Sequence, residues 1–190
     1  MIERNDSMLL YHGSYCAVRN PNLNKCSPYK DFGRGFYLTG SKHQAESFIL
    51  SSVKKAMRLG IISENSGYGY VTTYKFCAVP SLKILEYEGA DEQWLHCIAA
   101  HRKTDTFSDI REELAQYDVI AGKIANDQTN AALTAYLAEL YGRVGTPEAD
   151  NDCIRRLLPE RLENQICLRS ERALAMLTYA AEEKIWLNKH

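Results

Sequence analysis

A chain of 190 residues, 45% of them hydrophobic, can bury one sizeable core but is short for several. Its 23 Lys+Arg nearly cancel its 24 Asp+Glu, which excludes a general electrostatic pull toward nucleic acid or membrane, so any polyanion must be recognised locally. A polar start, "MIERNDSM", the lack of any apolar run of membrane-spanning length and six cysteines without a CxxC pair together predict a cytoplasmic protein with reduced thiols, no membrane segment and no metal.

The first predicted element is a strand over residues 8–12, where "LLYHG" alternates, placing Leu10 with His12 on one face and Leu9 with Tyr11 on the other. "NPNLNKCSPYK" is rich in turn formers and reads as a loop. It leads to "DFGRGFYLT", residues 31–39, a Gly-Arg-Gly turn before a short aromatic strand. Glycines beside a basic residue allow close backbone approach, and alternation sends Phe36 and Leu38 to one side and Tyr37 with Thr39 to the other. A helix then runs from a Ser41 cap to Gly60, with Ala45, Phe48, Ile49, Val53, Ala56 and Met57 on its apolar stripe. Two strands, "YVTTYKFC" and "LKILEY", are expected to form a meander.

Asp91 caps a further helix, "DEQWLHCIAAHR", with Trp94 in its core-facing set. "YDVIAG" reads as a buried strand, and "DQTNAALTAYLAELYG" as a helix ending at Gly142. Pro147 opens a helix through "EADNDCIRRLL", "NQICLR" is a strand, and Ser170 caps a last helix through "ERALAMLTYAAEE". No repeat or linker divides the chain. The expectation is one α+β domain over residues 1–190, its core about residues 8–180 and its tail 184–190 unassigned. His43, His96 and His101 fall on predicted helices without metal-ligand companions and read as surface or packing residues. Tyr68, Tyr70 and Tyr74 suggest either a tyrosine-rich interface or ordinary strand packing.

"YHGS", then "DFGRGFYLT", a helix, and a late strand with a polar residue before an apolar pair resembles the split, two-sheet NAD-binding core of the ADP-ribosyltransferase superfamily. The likeness is to its histidine-tyrosine branch, which contains diphtheria toxin and the poly-ADP-ribose polymerases. The fuller set "YHGS…DFGRGFYLT…QA…YDVIAGKIAND…NQICLRSERAL", over roughly residues 9–177, is similar to a bacterial group of ADP-ribosyltransferase-like proteins, often the toxin beside a small antitoxin-like partner.

The resemblance implies transfer of ADP-ribose from NAD, the only small-molecule co-substrate, to a protein or nucleic-acid acceptor, with NAD in a cleft between two small sheets. It implies that His12 holds a ribose hydroxyl, the Gly13 backbone holds the nicotinamide amide and Tyr37 stacks on the nicotinamide ring. Tyr11, Ser14, Arg34, Gly35 and Thr39 complete the implied NAD-binding set, with Arg34 toward the pyrophosphate. Active members commonly carry a glutamate where this chain has Gln165, and a glutamine has no charge to offset an oxocarbenium centre. Asp127 is the leading substitute, ahead of Glu163 and Asp31, and equally suits an N-cap for a helix beginning near Gln128. Two other readings stand beside this one: a non-catalytic NAD- or nucleotide-binding module, favoured by Gln165, and an NAD-hydrolysing relative.

Overall fold

The computed structural model describes residue 2 and residues 7–124, 127–157 and 162–187, with residues 127–129 described in backbone only. The chain is α+β, with two sheets and six α-helices among the described residues. It forms two compact units, each assembled from stretches that are not contiguous in sequence.

The first unit comprises Met1–Asn22, Tyr37–Leu82 and Glu171–His190. Its three-stranded antiparallel sheet has the order β1 (Ser7–Ser14), β3 (Tyr68–Cys77), β7 (Leu177–Trp186). His12 stands opposite Thr72, and Thr72 opposite Glu182, with a bulge at Thr73/Tyr74. Helix α1 (Lys42–Arg58) starts where the Ser41 side chain accepts from the Gln44 N–H, and stops before Gly60, whose φ of +67° suits glycine. Ala45, Ile49 and Val53 on α1 meet Val71 on β3 in a small buried core. The helix lies so close to β1 that a Cβ at Gly13 would fall into the Ala45 carbonyl. A side chain there is thereby excluded.

The second unit comprises Leu23–Phe36 and Lys83–Ser170. The second sheet has the order β2 (Phe36–Leu38), β6 (Asn164–Leu168), β5 (Val119–Lys123), β4 (Ile84–Glu86); β4 runs parallel to β5, and β5 antiparallel to β6. Helices α2 (Glu92–Arg102), α3 (Ser108–Leu114), α4 (Asp127–Leu137) and α5 (Pro147–Leu157) lie in this unit, whereas Tyr37 and Leu38 of β2 count with the first. Asp91 caps α2 through the Trp94 N–H at 2.9 Å, and the fully buried Trp94 indole donates to the Lys123 carbonyl at 2.8 Å. Phe32, Ile98, Ile120 and Tyr136 share this core.

Three expectations need correction. Strands β3 and β4 form no meander, because β3 is flanked by β1 and β7 while β4 pairs with β5. The last helix, α6, covers only Glu171–Leu174; the rest of the segment read as helix is strand β7. Nine of its ten residues pair with β3 along an antiparallel ladder, which overrides their helical propensity. Helix α4 ends at Leu137 rather than Gly142, and the unanticipated α3 starts from Phe107, whose left-handed backbone makes no side-chain cap. Trp186, on β7, is 68% exposed. Among the described residues no helix is long and apolar enough to cross a membrane.

Candidate functional site

Strand β1 carries His12 and strand β2 carries Tyr37, and the two are joined by a hydrogen bond of 2.8 Å from His12 Nδ1 to the Tyr37 carbonyl. The chain reaches this geometry through a two-residue clasp, since the Tyr11 N–H donates to the Thr39 carbonyl at 2.8 Å and the Thr39 N–H to the Tyr11 carbonyl at 3.0 Å. Burial of Phe36 and Leu38 with Tyr37 half-buried between them follows the alternation read from the sequence. Desolvation lowers the His12 pKa, and the bond to the Tyr37 carbonyl only partly opposes it. Burial thus favours the neutral ring, with Nδ1 as the donor to the Tyr37 carbonyl.

Ser14 and Thr39 are buried, and their hydroxyls are engaged inside the fold. Ser14 Oγ lies 3.5 Å from Ser52 Oγ. Thr39 Oγ1 accepts from the Ser41 N–H at 3.1 Å and donates to Gln44 Oε1. Tyr11 is half-buried against the α1–β3 core. Gln44, part of the "QA" pair in the resemblance but given no role there, joins this group. Its signal is the spacing Ser41-x-x-Gln44, that of a capping box, here diverted from the cap backbone to Thr39.

The other residues named for the NAD site or as its carboxylate belong to the second unit. Gln165 is buried on β6 opposite Gly122. Glu163 is exposed, and Asp31 is buried in an ion pair with Arg102, Oδ1 to the guanidinium at 2.6 Å. Asp127 is the first residue of α4, and its side chain lies outside the described residues. Arg34 is exposed, while the flanking glycines answer to packing: a Cβ at Gly33, where φ is +76°, would strike the His101 ring, and one at Gly35 the Cys167 sulfur and Leu168 carbonyl. The close approach that the glycines permit is to the protein's own α2 and β6.

Of the three helical histidines, His43 is exposed and His101 is buried, its Nδ1 donating to the Cys97 carbonyl at 2.8 Å. His96 differs, with Nε2 2.7 Å from Asp150 Oδ2. Tyr74 is buried, its hydroxyl donating to the Val18 carbonyl, and so lies off any exposed tyrosine surface. Tyr68 and Tyr70 pack edge to face, with Lys184 Nζ 3.6 Å from the Tyr68 centroid and 4.3 Å from that of Trp186.

Compared with family models, residues 8–179 match the one described as "Protein of unknown function (DUF3990)". No curated protein matches the chain.

Proposed function

The chain belongs to that family, and from its residues we propose that it is an NAD-dependent ADP-ribosyltransferase acting on a protein or nucleic-acid acceptor. The observation that carries this reading is the His12–Tyr37 bond. It ties the His12 imidazole to the Tyr37 backbone, so that an imidazole and an aromatic residue come from neighbouring backbone in the first unit, the two groups our reading uses to orient a nicotinamide riboside. His12 Nε2 accepts from a ribose hydroxyl, the Gly13 backbone bonds the carboxamide, and Tyr37 stacks on the nicotinamide ring. Ser14 and Thr39, whose hydroxyls have partners in the fold, hold β1, β2 and α1 in place rather than touching NAD.

In the reaction, the bond from ribose C1′ to the nicotinamide nitrogen breaks, and nicotinamide leaves neutral with the bonding pair. The acceptor's nucleophile adds to C1′ and releases its proton. Positive charge on the ribose in the transition state asks for a nearby carboxylate, which Gln165 does not supply. We assign that role to Asp127.

Nicotinamide release from NAD tests the reading. Wild-type protein should release it, and His12→Ala and Tyr37→Ala should each lower the rate at least about tenfold, near 1.4 kcal/mol of transition-state stabilisation. Asp127→Asn should lower it as far, and Glu163→Gln should leave it unchanged. Saturable NAD binding without turnover at any enzyme concentration would favour the second reading, a binding module, for which the uncharged Gln165 speaks. As a toxin-like effector with a small antitoxin-like partner, the wild-type chain should slow growth when expressed alone, and Tyr37→Ala should relieve it.

A further inference from the structure

We propose that Glu92, His96 and Asp150 form a binding site for one divalent first-row transition ion of the zinc class, separate from the His12–Tyr37 group and independent of the NAD reading. Glu92 and His96 are one helical turn apart on α2, so their side chains share a face; Asp150 comes from the first turn of α5. One potential ligand atom from each lies within 4.8 Å of the other two. One imidazole and two carboxylates, with no thiolate, suit Zn²⁺, Co²⁺ or Ni²⁺ and leave further positions for water.

The surroundings are arranged as those of a metal ligand set. Asp150 is buried, and its second oxygen, Oδ1, accepts from the Tyr136 hydroxyl, which in turn accepts from the Gly145 N–H at 3.1 Å. The His96 ring stacks on Phe107, with centroids 4.3 Å apart and planes 28° apart. Phe107 is held at φ +52°, an unusual conformation for an aromatic residue, and a Cβ at Gly145, itself at φ +85°, would press into its ring. Two ligands are thereby oriented by neighbours that do not touch the ion, while the exposed Glu92 is free to adjust.

Ligand atoms about 2.1 Å from a tetrahedral ion stand about 3.4 Å apart. The 2.7 Å separation of His96 Nε2 and Asp150 Oδ2 must therefore widen by about 0.7 Å as the ion enters between them. The imidazole binds through its Nε2 lone pair, so a proton shared there with Asp150 moves to Nδ1 or leaves. Both carboxylates bind as anions.

The test is calorimetric titration of the chelator-treated full chain with Zn²⁺, repeated with Co²⁺ to read its visible absorption. One ion per chain should bind saturably. Glu92→Gln, an exposed change that leaves the fold intact, should weaken binding at least about tenfold, and Tyr136→Phe should weaken it by a similar factor while the ligands remain. His96→Gln should abolish the Co²⁺ spectrum. No saturable binding, or binding unchanged in Glu92→Gln and His96→Gln, overturns the site; in the latter case the ion binds elsewhere on the chain. Neither result bears on nicotinamide release.

Discussion

Gly13 is where packing and the proposed chemistry coincide, because the backbone offered to a ligand is also the floor on which α1 rests. Its replacement by alanine pushes a methyl into a helix carbonyl, which cannot rotate away. Gly13→Ala should destabilise the protein by about 1–3 kcal/mol in urea unfolding, whereas Gly40→Ala, with nothing within 4 Å of the new carbon, should stay within about 0.5 kcal/mol. His101 makes a second residue-scale case. Burial lowers its pKa, reinforced by the charges of Arg169 and Arg111 and opposed by the bond to the Cys97 carbonyl and by Asp31. The imidazole is thus neutral in the fold and takes up a proton on unfolding once the pH falls below about 6.5, so its contribution makes stability decline from there down to the folded pKa. His101→Asn retains a donor for the Cys97 carbonyl but cannot titrate. The drop in urea midpoint between about pH 7.5 and about pH 5.5 should be smaller in this variant, not absent, since His12 is shifted in the same direction.

At the scale of elements, legibility followed local signals. Helices α1 and α2 announce themselves through Ser41 and Asp91, and β2 through its two-residue alternation. Helix α3 escaped because Phe107 offers no capping side chain, and the sheet partners of β3 and β4 escaped because pairing is a long-range property that turn residues only suggest. Strand β7 is the sharpest case: "LTYAAEEKIW" is built largely from helix formers, and only the ladder with β3 makes it extended. A peptide of residues 171–186 should accordingly show coil or helical circular dichroism in water and gain helix in trifluoroethanol; a strand spectrum in dilute solution would contradict this. The candidate site divides along the same line. His12 and Tyr37 were legible from motif and alternation, but the internal engagement of Ser14 and Thr39 depends on Ser52 and Gln44, whose positions only the folded helix discloses. The packing reasons for Gly33 and Gly35 likewise lie in His101, Cys167 and Leu168, far along the sequence.

For the whole molecule, the interleaving of the two units limits how the chain can be divided. The second unit takes Phe32, fully buried, and Asp31, paired with Arg102, from a segment about fifty residues before its main stretch. Removing Phe32 leaves a core vacancy, and removing Asp31 leaves Arg102 without its buried carboxylate. A fragment of residues 83–170 should therefore lack the cooperative thermal transition of the full chain, and fusing residues 23–36 to its N-terminus through a flexible linker should restore it in part. Melting by near-ultraviolet circular dichroism decides between these outcomes. The same division gives each unit its own fluorophore. The chain has two tryptophans, and Trp94 is fully buried in the second unit while Trp186 stands 68% exposed in the first. Trp94 should emit toward the blue and resist acrylamide, and Trp186 should emit toward the red and be quenched readily, so that one sample reports on both units at two ends of its emission band.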